Sequence, residues 1–320
     1  MTEKTFTAIF GAASAKSKLA LAVGAAFLSV VIIPVVFANR PYFLNVLTNA
    51  SILAFVSLGV WVTFSIGRIN IAQGAFAMIG GYTTAILATR YGVSFWICLP
   101  LSAMTAALAG TLIGIPILRL KGVYFAMITL SLTEAVRLLF LNGGDFTQGA
   151  TGIINIPRPF GVTGPVGFYL ISAVLLALGM LAVWRLSTSR IGAVFRSLRQ
   201  NEDLAASVGI NVERYRLIAF AVSCALGGIG GAFYAAFQQN IYPATYSVND
   251  SINFMLYCFL GGLNYVFGPV IGAFLLIISF EVLHSAQQYQ TLMYGVLMIV
   301  VMLWLPNGIL SVKFIGRRSG

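Results

Sequence analysis

Charge is the scarcest property of this sequence. Only 8 of its 320 residues are acidic, and Asp, Glu, Lys and Arg together make up 8% of it. A soluble domain carries roughly 25% charged residues, so a soluble globule is excluded. Histidine occurs once, at His284, and cysteine three times, at Cys98, Cys224 and Cys258. The cysteines fall inside apolar runs without C-x-x-C spacing, which argues against a thiolate metal centre and for small buried hydrophobes. A lone histidine lacks the partners that a metal or proton-relay site normally has. No G-x-x-x-x-G-K-[ST] phosphate loop is present, so the chain is not expected to hydrolyse ATP. No nucleophile–base pair or metal cluster stands out either, which makes an enzyme the poorest reading.

What the sequence has is apolar length. It is 59% hydrophobic, with a mean hydropathy of +0.93. Apolar runs predict helices at roughly 19–38, 46–66, 71–89, 94–117, 122–141, 166–184, 217–237, 251–263, 267–283 and 291–305. The run at 251–263 is too short to cross a bilayer alone, since a crossing takes about 20 residues. The expected fold is all-α: a single polytopic membrane domain over residues 1–320 with about ten transmembrane helices. The first run also resembles a signal peptide, with Val36-Phe37-Ala38 as a small-residue cleavage site. Its length exceeds a typical signal core, which favours an uncleaved anchor. Cleavage would leave nine crossings.

An even number of crossings puts both termini on one side. With that side cytoplasmic, 15 of the 19 basic residues fall inside. They are Lys4, Lys16, Lys18, Arg68, Arg119, Lys121, Arg185, Arg190, Arg196, Arg199, Arg214, Arg216, Lys313, Arg317 and Arg318. Arg40, Arg90 and Arg158 fall outside, and Arg137 lies within a span. This asymmetry is the positive-inside pattern. It accounts for the net charge of +11 without a nucleic-acid partner.

Glycines recur at helix-packing spacing in Gly110/Gly114, Gly227/Gly231 and Gly268/Gly272, each a G-x-x-x-G pair that permits close helix approach in lipid. The triplet Gly-Ala-Phe begins at Gly74, Gly231 and Gly272, a weak hint of repeated halves. Two polar segments interrupt the apolar runs. Residues 142–165 are rich in Gly and Pro and read as an ordered loop on the outer side. Residues 185–216 carry six arginines and three acids on the cytoplasmic side.

Within the second segment, RQNEDLAASVGIN (199–211) specifies a short helix. Asn201 is a good N-cap, and Glu202 and Asp203 suit the positive end of the helix dipole. Leu204 and Val208, four apart, share a face. Ala205 and Ala206 favour helix, and Gly209 is a natural terminator. Upstream, Val194, Phe195 and Leu198 form a second apolar face. So short a helix is marginal in water unless something packs against it; the alternative is a solvated loop.

The spacing Glu-x-x-Ala-Ala-x-x-Gly resembles the coupling segment of ATP-binding-cassette importer permeases. Its surroundings, GAVFRSLRQNEDLAASVGINVERYRLIAFAVS, are similar to the LivM-type permease family of branched-chain amino-acid importers. So are RLKGVYFAMITLSLTEAVRLLF (119–140), TQGATGIINIPRP (147–159), FLGGLNYVFGPVIGA (259–273) and YGVLMIVVMLWLPNGIL (294–310). The first 40 residues carry little of the likeness. Asp203-Leu204 departs from a strict Glu-Ala-Ala, which leaves the individual contact residues open but not their location.

The resemblance implies an importer subunit in a bacterial inner membrane. It implies a second, LivH-like permease, two ATPase subunits holding ATP and Mg, and a periplasmic substrate-binding protein, with no cofactor on this chain. Glu202, Asp203, Leu204, Ala205, Ala206 and Gly209 would form the ATPase-coupling helix. The outer loop would receive the binding protein, with Asp145 and Arg158 as candidate contacts. Asn70 and Gln73, beside Arg68 and Gly74, and the pair Glu134 and Arg137 are candidates for the pathway or its gate; each set also reads as structural packing. The rival readings are an ion-coupled carrier and a passive channel. A carrier usually shows several carboxylates inside the membrane, and only Glu134 lies well inside a run.

Overall fold

The computed structural model describes residues 40–159, 162 and 164–282, together with 295, 299 and 308. The expected span at 19–38, that at 291–305 apart from 295 and 299, the Val36-Phe37-Ala38 site, His284 and the basic residues of both termini lie outside the described residues.

Ten α-helices are present among them. In chain order they are α1 (Pro41–Phe64), α2 (Gln73–Arg90), α3 (Phe95–Ile117), α4 (Val123–Leu141) and α5 (Gly164–Thr188), followed by α6 (Arg190–Gln200), α7 (Glu202–Ser207), α8 (Val212–Gln238), α9 (Val248–Gly261) and α10 (Gly268–Val282). Five of them, α1, α3, α4, α5 and α8, are long and apolar enough to cross a membrane. Two of the ten expected runs lie largely outside the described residues; among those described, α2 is not one of the five, and α9, with 14 residues, falls short at about 1.5 Å per residue of a hydrocarbon core of roughly 30 Å.

The core is built on α1, α2 and α8. Windows of α1 and α8 are 67% and 61% buried, against 28%, 22% and 33% for α3, α4 and α5. The peripheral helices turn large apolar side chains outward, among them Leu108 and Leu112 on α3, Met127 and Leu139 on α4, and Leu178 on α5. In water such a surface would drive aggregation; in lipid it is the solvated surface.

All three G-x-x-x-G pairs sit at helix crossings. A Cβ on Gly231 would overlap the Ala77 carbonyl of α2, and one on Gly80 would overlap the backbone of Gly228. Gly110 and Gly114 of α3 face Cys224 and Phe220 of α8, and Gly272 faces the Tyr257 carbonyl of α9. α2 is the most enclosed segment because its small residues let α8 lie directly against it.

The segment 142–159 is more structured than a plain loop. It forms two single 3₁₀ turns and a short strand, β1 (Ile153–Ile154), antiparallel to β2 (Asn240–Ile241) after α8. Ile156 N–H also donates to the Gln239 carbonyl at 3.0 Å. This clasp marks one end of the bundle. α6 and α7 mark the other, which carries Arg68, Arg119, Lys121, Arg196, Arg199, Arg214 and Arg216 and is called the basic end below.

Candidate functional site

The predicted short helix exists. The Asn201 side-chain oxygen accepts from the N–H groups of Asp203 and Leu204, both at 3.0 Å. Gly209 terminates the turn at φ +86°, with its N–H donating to the Ala206 carbonyl at 3.0 Å. Ala205 is buried, while Leu204 and Val208 are 65% and 71% exposed. Two apolar side chains therefore stand free on a helix that has little else to recommend their exposure in water.

Glu202 and Asp203 differ sharply in exposure, although Lys121 lies within 4.0 Å of both. The Asp203 side chain is 94% exposed and the Glu202 side chain 18%. Glu202 turns inward and is gripped by three cations. Arg68 meets it at 3.1 Å and Lys121 at 3.5 Å. Arg216 donates to both of its oxygens. The Arg68 and Arg216 side chains are only 3% and 9% exposed. Burial, with the like charge of Arg216 in support, pulls the Arg68 guanidinium below its ordinary value, and Glu202 pulls it back. Two buried guanidiniums thus share one carboxylate. Removing such a carboxylate leaves buried charge uncompensated, which costs about 3–5 kcal/mol. Arg68 also donates to the Leu120 carbonyl, so the turn between α3 and α4 joins the cluster.

Arg68 opens the second part of the site. Between α1 and α2 the backbone is not helical over residues 65–72, yet Arg68, Asn70, Ile71 and Ala72 are buried. Buried irregular backbone needs partners, and side chains supply them. Thr129 of α4 accepts from Ile71 N–H at 3.2 Å, and Thr133 donates to the Ile71 carbonyl at 3.2 Å. Asn70 accepts from Ala72 N–H at 2.9 Å. Ser251 of α9 accepts from Gly74 N–H at 3.1 Å.

Gln73 knots the centre. Its amide nitrogen donates to the Val56 carbonyl of α1 at 3.1 Å and to the Ser223 carbonyl of α8 at 3.0 Å. Its oxygen accepts from the Ser223 hydroxyl at 3.0 Å and from Asn70 at 3.4 Å. Gly59 and Gly227 flank the amide so closely that a Cβ at either would press on it. Asn70, Gln73, Ser223 and Ser251 are all inaccessible. The sequence picked out Asn70 and Gln73; it missed Ser223, Ser251, Thr129 and Thr133, whose signal was hydroxyls within otherwise apolar runs.

The remaining candidates lie elsewhere. Glu134 and Arg137 pair with each other, Arg137 Nε donating at 2.9 Å, and remain 41% and 26% exposed beside the buried stripe of α4 that holds Thr129 and Thr133. Asp145 lies on the 3₁₀ turn Gly144–Phe146, where Arg90 holds its backbone carbonyl. Arg158 stacks over Phe168 at 5.5 Å. It lines a cleft of about 500 Å³ with Tyr42, Asn45, Asn49 and Glu281. No ion pair joins Asp145 to Arg158 among the described residues.

The profile of the family described as branched-chain amino acid transport system, permease component, matches residues 42–303. The chain belongs to this permease family. The LivM permease protein of the high-affinity branched-chain amino acid transport system of Escherichia coli is 34% identical over 291 residues, covering 82% of this chain and 68% of the relative. A probable LivH permease protein of Methanocaldococcus jannaschii is 27% identical and covered to 90% of its length. The LsrC permease protein of the autoinducer 2 import system of Klebsiella pneumoniae is 27% identical over 264 residues. No solved structure matches the chain. With its five spanning helices the permease is a multi-pass membrane protein, and α7 lies within the matched region.

Proposed function

We propose that the chain is a transmembrane permease subunit of an ATP-binding-cassette importer, and that it carries branched-chain amino acids or a related small polar solute. The observation that carries this reading is α7: a capped helix at the basic end that leaves Leu204 and Val208 uncovered. An isolated helix of six residues is marginal in water, and an apolar face on it calls for a partner groove. We assign that groove to an ATPase subunit. Asp203, Leu204, Ala206 and Val208 face it; Ala205 and Glu202 hold α7 to the permease.

The basic end is then cytoplasmic, the membrane is the bacterial inner membrane, and about ten crossings bring both termini to the cytoplasmic side. A second, LivH-like permease, two ATPases holding ATP and Mg, and a periplasmic binding protein complete the assembly. The β1–β2 clasp gives the binding protein a fixed landing surface, with Asp145 and Arg158 at its edge. Asn70 and Gln73 are the pathway residues we assign, because they stand where the buried non-helical segment between α1 and α2 meets the start of α2. Glu134 and Arg137 neutralise each other on α4 and serve as a local pair.

The carboxylates weigh against an ion-coupled carrier. Among the described residues Glu134 is paired outward, and Asp250 caps α9 by accepting from Ser247 N–H at 2.9 Å. A pull-down of the tagged chain from its native membrane in mild detergent, with mass spectrometry, tests the reading. Recovery of a phosphate-loop ATPase is the expected result. Recovery of the chain alone, with gradient-driven uptake in vesicles, overturns it.

A further inference from the structure

The inward turn of Glu202 has no place in a helix that merely docks. A residue that met the ATPase would stand with Asp203 on the exposed face. Glu202 instead contacts three other parts of the permease: the non-helical segment through Arg68, the turn between α3 and α4 through Lys121, and the start of α8 through Arg216. Arg68 lies two residues from Asn70 and five from Gln73, and these two hold α1, α2 and α8 together by buried hydrogen bonds.

We infer that Glu202 is a positioning residue that ties α7 to the non-helical segment 65–72, so that displacement of α7 is delivered to the Asn70–Gln73 centre. This rests on the reading of α7 as the ATPase docking helix. The chain of contacts is short and stiff. The carboxylate grips a guanidinium that is 3% exposed. That guanidinium is pinned again by the Leu120 carbonyl and lies 5.8 Å from the Phe125 ring centre. From there the backbone runs non-helical to Gln73, held at Ile71 by Thr129 and Thr133. The covalent route on the other side turns sharply: α7 continues to α8 through Gly209, at φ +86°, and Ile210, whose N–H groups return to the Ala206 and Ala205 carbonyls. A push on α7 that is lost in that bend still reaches the centre through Glu202 and Arg68.

The tie is redundant in charge: Arg68 and Arg216 hold the carboxylate together, and Lys121, 63% exposed, pairs with its outer edge at 3.5 Å. A shift of α7 therefore leaves Glu202 paired and carries Arg68 with it, and with Arg68 the segment that holds Asn70.

The test uses the whole importer, with both permeases, ATPases and binding protein, in proteoliposomes. The quantity read is solute moved per ATP hydrolysed. Glu202→Gln keeps shape and removes charge; Arg68→Lys keeps charge and removes the fork. Both are expected to retain the ATPase subunits on purification and to lower the solute moved per ATP about tenfold or more. An unchanged ratio in Arg68→Lys overturns the inference. So does loss of the ATPase from Glu202→Gln, which would put Glu202 in the docking contact itself. If Glu202→Gln does not fold, Arg68→Lys decides. Leu204→Asp is the control for the underlying reading: it is expected to lose the ATPase. If it does not, α7 is not the docking helix and that reading fails, whatever the ratio in the other two variants.

Discussion

The hydroxyl of Thr133, on α4, donates to the carbonyl of Ile71 at 3.2 Å, although 62 residues separate them. With Thr129 it satisfies both backbone groups of Ile71 in a stretch that no helix or strand serves. Thr133→Val keeps the volume and removes the donor. A buried carbonyl left without a partner costs about 1–3 kcal/mol. The expected result is a lower thermal unfolding midpoint in detergent for Thr133→Val and recovery toward the parent in Thr133→Ser. Equal midpoints for the valine variant and the parent would show that another donor takes over.

Gly231 tests the packing of the core. A Cβ there runs into the Ala77 carbonyl, which is backbone and cannot step aside. Gly231→Val should therefore cost about 3 kcal/mol or more and prevent recovery of folded chain. Gly110→Ala offers a contrast, since its obstacle is the Cys224 side chain. Its loss should be clearly smaller, as read by the fraction of monodisperse protein on size-exclusion chromatography.

Gly209 sets the exit of α7. Proline fixes φ near −65°, whereas Gly209 sits at +86° and donates to Ala206. Gly209→Pro is expected to leave the spanning helices folded and to reduce uptake at least about tenfold through misplacement of the docking face. Normal uptake at normal expression would remove α7 from the coupling path.

Glu134 and Arg137 lie outside the buried network and satisfy each other. Replacing both leaves neither charge unpaired in the span, so the double variant Glu134→Gln, Arg137→Gln is expected to keep uptake within about twofold. A larger loss at equal expression would return the pair to the pathway.

The helices were legible because apolar length is a local property. The run expected at 94–117 appears as Phe95–Ile117, and 122–141 as Val123–Leu141. The capping chemistry of Asn201 and the stop at Gly209 were legible for the same reason: both act within a few residues. The short clasp of Ile153–Ile154 with Asn240–Ile241 was not, since two-residue strands carry no periodicity. Polarity marked Asn70 and Gln73 as unusual, yet nothing along the chain said which helices they would tie.

The sequence by itself determined the solvent of this protein, the places of its long helices, the asymmetry of its charge and its family, because composition, hydropathy and short motifs need no knowledge of distant neighbours. Only the tertiary structure decided that Glu202 turns inward while Asp203 turns out. Side chains of adjacent residues on a helix point about 100° apart, so one of the two acids had to face the permease. Which one did depends on Arg68 and Arg216, brought to it from 134 residues before and 14 after.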